Sequence, residues 1–159
     1  MHANADLLTR FYTAFQQRDH ATMAAAYAED ARFSDPVFPD LRGGHIGGMW
    51  RMLCERGTDL DLTFSAVEAD DTQGKAHWEA TYTFSATGRK VHNVIDAAFT
   101  FRDGRIATHD DTFDLWAWTR MALGPMGMVL GWSSLVQGRV RGQAGQQLER
   151  FCDKRDITA

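Results

Sequence analysis

Residues 93–118 read NVIDAAFTFRDGRIATHDDTFDLWAW, two alternating segments that meet at Asp103-Gly104. Alternating apolar and polar residues mark strands with one buried face, and Asp-Gly is a strong hairpin signal. The second strand carries His109, Asp110, Asp111 and Asp114 among hydrophobic positions. Alternate residues Ala107, His109, Asp111, Phe113 and Leu115 share one face, which puts an imidazole and a carboxylate on an apolar wall. Such groups are costly to bury unless paired, and where they persist they often do chemistry.

The turn decides which face is buried. A two-residue Asp103-Gly104 turn pairs Arg102 with Arg105 and sets Ile106, Thr108, Asp110 and Thr112 beside Phe99 and Phe101. A three-residue loop of Arg102, Asp103 and a left-handed Gly104 reverses every side chain and puts His109 and Asp111 there. The first register buries Ile106 but also Asp110 and Asp114. The second buries Phe113 and Leu115, and that hydrophobic gain favours it.

At 159 residues, 44% of them hydrophobic and 24% charged, the chain suits a single domain spanning 1–159 with a sizeable core. A net charge of -4 gives no electrostatic reason to expect nucleic acid. The basic tail residues Arg139, Arg141, Arg150, Lys154 and Arg155 read as a solvated helix face. Cys54 and Cys152 form no framework or CxxC pair, and Asp6 stands where a signal sequence would be basic and then apolar. A reduced, cytoplasmic setting is expected. Residues 121–138 are uncharged, but four glycines, Pro125, two serines and Gln137 interrupt them. They read as a broken helical flap rather than a membrane span.

Asn4 is placed to cap a first helix running to about Arg18, with Leu7, Leu8, Phe11, Ala14 and Phe15 on one stripe. A shorter helix near residues 21–27 and an extended piece at 31–34 follow. The glycine run at 43–48 lacks the Lys-Ser/Thr ending of a phosphate loop and leads into a helix bearing Ile46, Met49, Trp50 and Leu53. After Gly57 the period becomes two through four strands, and from Trp116 it returns to helix, broken at Gly124-Pro125. Helices first and a meander after them predict an α+β domain, with residues 116–159 as a helical extension.

The order of elements, with FYTAFQQRD, YAEDARFSDPV and FTFRDGRI, resembles the superfamily of nuclear transport factor 2, ketosteroid isomerase and the SnoaL-like polyketide cyclases. The resemblance covers roughly residues 4–113. It implies a conical, curved antiparallel sheet with the N-terminal helices on its concave face, and C-terminal helices besides. It also implies a hydrophobic pocket and pairing of outer sheet faces into a homodimer, here through His77, Glu79, Thr81, Thr83, His92, Val94, Asp96, Ala98 and Thr100. Asp35 matches the general base of the isomerase. The isomerase's oxyanion tyrosine falls at Phe11, with Tyr12 pointing elsewhere, and its protonated aspartic acid falls at Ala97. Losing such a donor typically costs a factor of about 10²–10³ in turnover, which argues against steroid isomerisation. An aspartate on the late strand resembles the cyclases, whereas the Asp-Arg-Asp set of the epoxide hydrolases finds no inward arginine.

His109 and Asp111 have Cα atoms about 6.6 Å apart on one strand, close enough for a proton-transfer pair. The competing structural view is a polar patch that satisfies nearby backbone. Asp35 is the third catalytic candidate, and Asp before Pro also serves as an ordinary turn residue. Asn93, Phe11, Trp78, Tyr82, Phe99 and Trp116 are the candidate substrate contacts. His77 and His92 fall on the opposite strand face, so no metal site is expected. The function expected is cofactor-free acid/base chemistry on a small lipophilic or cyclic molecule: isomerisation, cyclisation or hydration. The rival is a non-catalytic, dimer-forming binder of the same fold. Neither nucleic acid nor a membrane is an expected partner. Residues 116–132 are expected to close the mouth of the cone, or of the partner's cone, as a lid, the alternative being ordinary packing on the convex side of the sheet.

Overall fold

Leu8, Phe11, Tyr12 and Phe15 recur at helical spacing, and this stripe forms the buried face of α1 (Ala3–Gln16). The structure, a computed structural model, describes residues 1–130 and 133–159. His2, rather than Asn4, caps α1, its ring accepting the Asn4 N–H. Asn4 lies inside the first turn, where its buried amide donates to the carbonyls of Asp70 and Asp71. A tertiary contact thus overrides the expected local cap. Asp19 caps α2 (His20–Ala25) through the Thr22 N–H, and β1 (Tyr27–Ser34) and β2 (Leu41–Arg42) follow.

Helix α3 (Gly44–Arg56) begins in the glycine run. A Cβ on Gly44 would stand 2.0 Å from the Thr158 carbonyl oxygen, and one on Gly48 2.7 Å from Cys152 Sγ. The run therefore serves close packing of the C-terminal segment on α3.

Strands β3 (Asp61–Ala69), β4 (Gln73–Phe84), β5 (Arg89–Arg102) and β6 (Arg105–Thr112) form the expected meander within a six-stranded sheet, order β2-β1-β6-β5-β4-β3. The sheet is mixed rather than wholly antiparallel, because β1 pairs with β6 in parallel. Those strands are joined by a long connection through α3 and the meander, which frees them from the geometry of a tight hairpin. Along β5, Val91, Asn93, Ile95, Ala97, Phe99 and Phe101 are buried and every alternate residue is exposed. The N-terminal helices cover the buried face, and the face bearing His92, Val94 and Asp96 is left open.

The β5–β6 turn is the two-residue form, not the three-residue loop. Arg102 pairs with Arg105, while Asp103 and Gly104 have φ of 54° and 74°. His109 still lies opposite Phe99 and Asp111 opposite Ala97. The reversal comes from a bulge: Phe101 pairs with Ile106 but Thr100 with Thr108, leaving Ala107 as the extra residue. Ile106 and His109 are both buried as a result, which neither regular register allowed.

Asp114 caps α4 (Leu115–Leu123) through the Ala117 N–H; α5 (Pro125–Leu130) and α6 (Ser134–Lys154) complete the chain. Leu115, Trp118 and Ala122 pack on Val91 beside Tyr82, Phe84 and Phe113, so α4 covers one end of the concave face. Of the expected lid, Trp118 is buried, but Trp116, Met126 and Met128 are exposed, and Trp132 lies outside the described residues. Leu148 and Phe151 of α6 enter the main core. Among the described residues no helix is long and apolar enough to cross a membrane.

Candidate functional site

The bulge at Ala107 delivers His109 into the centre of the fold, where the side chain is fully buried. Its Nε2 lies 2.8 Å from Asp111 Oδ1 and its Nδ1 2.7 Å from Tyr27 Oη. Trp50 donates its indole N–H to Tyr27 Oη at 2.9 Å, and Trp78 donates to Asp111 Oδ1 at 3.4 Å. Rings of Phe11, Tyr27, Phe33, Trp50 and Phe99 surround the imidazole, with centroids between 4.3 and 6.1 Å away. The imidazole thus has both nitrogens engaged within an apolar shell.

Asp35 stands where β1 gives way to a turn before Pro36. Its Oδ1 accepts the N–H groups of Val37 at 2.7 Å and Phe38 at 2.6 Å, the turn role expected of Asp before Pro. Burial raises its carboxyl to about 7. The Phe38 N–H opposes that rise, the Asp111 charge adds to it, and Val37 and His109 oppose it. Asp35, His109 and Asp111 therefore lie within electrostatic reach of one another. Burial, too, raises the Tyr82 hydroxyl above its ordinary range, with a contribution from Asp35. That hydroxyl accepts the Trp118 indole N–H at 2.8 Å, linking α4 to the same region.

Asn93, Phe11, Trp78 and Phe99 are buried on the inward side as expected, and Tyr82 is partly buried there. Trp116 is not among them. It is 36% exposed, with the Arg120 guanidinium 4.6 Å from its ring centroid, and Trp118 takes the inward place. Strand parity does not extend to Trp116, since the chain is helical from Leu115 and the phase changes there. The spacing of Leu115, Trp118 and Ala122 carries the correct signal.

Tyr27 and Trp50 are functional candidates that the sequence did not single out. Tyr27 meets His109 across 82 positions, and no local spacing reports such a contact. Tyr12 does not point elsewhere; it is wholly buried, stacked on Phe64 at 5.4 Å and near Trp78 at 6.1 Å. Its hydroxyl is buried without a hydrogen-bond partner, and burial and then the Asp111 charge raise its pKa well above the usual range.

Two hollows of the described structure lie away from His109. One of about 240 Å³ lies along α1 by Thr9 and Thr13, and one of about 430 Å³ by Arg56 and Arg150. Aromatic side chains fill the space around His109 instead. On the outer sheet face His77 contacts Asp96 at 2.8 Å and Glu79 at 3.2 Å, with His92 2.9 Å from Glu79. Among the described residues no group of His, Cys, Asp or Glu side chains is arranged to hold a metal ion.

A sequence profile of the SnoaL-like domain matches residues 8–109, more than half of the chain. The chain belongs to the SnoaL-like domain family. No curated protein sequence matches this SnoaL-like chain. Its fold is similar to an LEH-like epoxide hydrolase of M. tuberculosis, at 19% identity and a TM-score of 0.63 over 82% of this chain and 97% of that one. An NTF2-like protein of unknown function from Burkholderia pseudomallei K96243 gives 21% identity and a TM-score of 0.66 over 76% and 98%. A protein assigned as a polyketide cyclase from Xanthomonas campestris pv. campestris gives 22% and 0.60 over 75% and 96%. At these identities the likeness establishes the fold of the SnoaL-like domain and leaves its chemistry to its own residues.

Proposed function

We propose that this SnoaL-like domain is a cofactor-free acid/base enzyme for a small lipophilic or cyclic molecule, of the isomerase, cyclase or hydratase type. The observation that carries the proposal is the buried His109–Asp111 pair at 2.8 Å, within electrostatic reach of Asp35, whose carboxyl is raised by burial to about 7. A carboxyl poised near neutrality can both hold and release a proton. Asp111 is the second carboxylate, with Oδ1 held by His109 and Trp78 and its other oxygen left for an incoming molecule. His109 orients Asp111 rather than moving the proton itself, because both of its nitrogens are already engaged.

Asn93, whose amide makes no hydrogen bond among the described residues, holds an oxygen of the substrate. Phe11, Trp78, Tyr82 and Phe99 supply an apolar wall, and Trp118 takes the part first expected of Trp116. Entry requires α4 to move, since α4 covers one end of the concave face. The polyketide cyclase assignment of one structural neighbour supports such small-molecule chemistry. Epoxide opening through Asp-Arg-Asp is less favoured, because no arginine pairs with Asp35 or Asp111 among the described residues. The outer sheet face, centred on Val94 at 48% exposure, is the proposed homodimer surface. A monomeric mass at micromolar concentration in light scattering counts against that dimer.

The rival from another class is a non-catalytic binder, favoured by the filled space around His109. Binding and turnover of cyclic enones, epoxides and aromatic diketones by wild type and Asp35→Asn separate the two. Turnover that disappears in Asp35→Asn while binding persists supports the enzyme. Binding without turnover, equal in both proteins, leaves the binder.

A further inference from the structure

The Trp50 indole can only donate a hydrogen bond and an ionised Asp111 can only accept one. Between these ends lie Tyr27 and His109, and their proton order follows from the ends. Trp50 Nε1–H donates to Tyr27 Oη at 2.9 Å. The Tyr27 hydroxyl proton then finds His109 Nδ1 at 2.7 Å, its one acceptor among the described residues. Were Nδ1 to donate instead, that hydroxyl proton would be buried without an acceptor, which folded proteins avoid. Nδ1 is therefore the acceptor, and the ring proton sits on Nε2 and points at Asp111 Oδ1, 2.8 Å away.

We infer that Tyr27 and Trp50 are positioning residues for the acid/base site, occupying His109 Nδ1 so that the imidazole serves only as an Nε2–H donor to Asp111. Every donor in the chain points the same way, from α3 through β1 to β6, so each bond polarises the next. Two consequences follow for the chemistry. His109 has no free lone pair with which to act as a base. The Asp111 carboxylate, buried with no lysine or arginine beside it among the described residues, takes its support from His109 and Trp78. The other groups facing the imidazole are Phe11 of α1, Phe33 of β1 and Phe99 of β5, none of them titratable. Asp35 acts on the pair through space. The part played by Asp111 in catalysis rests on the function proposed above, whereas the proton order rests on the hydrogen bonds alone.

Imidazole ¹H–¹⁵N correlation spectra of the ¹⁵N-labelled full chain at pH 7 test the inference without any substrate. The His109 signals are those lost in His109→Gln. Wild type should show a protonated Nε2 and an unprotonated Nδ1; a protonated Nδ1 overturns the assignment. In Tyr27→Phe the Nε2–H proton should move upfield and exchange with solvent about tenfold faster, as one supporting hydrogen bond is lost. Trp50→Phe, which keeps an aromatic ring, should shift it in the same direction by less. Should Tyr27→Phe fail to fold, the Trp50→Phe spectrum decides. An unchanged Nε2–H signal in a folded variant overturns the positioning role. Absence of turnover with the expected spectra would count against the proposed enzyme and leave the proton order standing.

Discussion

Asp111 Oδ1 meets His109 Nε2 at 2.8 Å inside a shell of aromatic rings, two residues away along the same strand. The pair is screened from water, since the side chains are 0% and 2% exposed. Truncation by Asp111→Ala leaves the His109 and Trp78 N–H groups buried and unpaired. The expected loss is about 3 kcal/mol in urea unfolding, and a loss below 1 kcal/mol would refute the pairing.

Asp35 gives the fold a pH dependence of defined sign. Its carboxyl ordinarily titrates at 3.8 and stands at about 7 in the folded chain. Between those values the folded chain keeps a proton that the unfolded chain has lost. Stability therefore falls as pH rises from about 4 to about 7 and stays reduced above that. Asp35→Asn, which retains an acceptor for Val37 and Phe38, removes the penalty. Its stability gain over wild type should be larger at pH 8 than at pH 5, by on the order of 2 kcal/mol. Equal gains at both pH values in denaturant melts would count against it.

Tyr12 and Tyr27 should respond oppositely to loss of the hydroxyl. Tyr12→Phe removes a buried group without a partner, and stability should hold or rise by about 1 kcal/mol. Tyr27→Phe strands the Trp50 N–H and His109 Nδ1, for an expected loss of about 2 kcal/mol. Chemical denaturation of the two variants side by side checks both signs.

Ala107 is the extra residue of the β6 bulge. Ala107→Gly should be tolerated within about 1 kcal/mol, since the bulge remains. Deletion of Ala107 would remove the bulge and still leave Thr108 opposite Thr100 and His109 opposite Phe99. The deletion variant should therefore keep a cooperative thermal melt by circular dichroism. Loss of that transition would mean that the bulge does more than correct the register.

Trp118 fastens α4 to Tyr82, whereas Trp116 faces outward. Trp118→Ala should raise binding of an environment-sensitive apolar dye several-fold, and Trp116→Ala should leave it unchanged. Cutting the chain after Asp114 is a poorer test of the lid, because it also removes Leu148 and Phe151 from the main core. Equal dye binding by both single variants would place α4 outside the closure of the site.

The sequence by itself determined the strand and helix order, the inward row Val91 to Phe101 on β5, and the grouping of His109 and Asp111 on one face of β6. Each of these follows from a period of two or 3.6 along one element, which neighbouring residues carry in full. Tertiary structure alone decided the rest. It placed the bulge at Ala107 that let Ile106 and His109 be buried together, and it turned Trp118 inward in place of Trp116. It paired β1 with β6 in parallel and brought Tyr27 to His109. Periodicity tells a side chain which way to face; which group it meets there depends on how distant elements pack, and local spacing does not encode that.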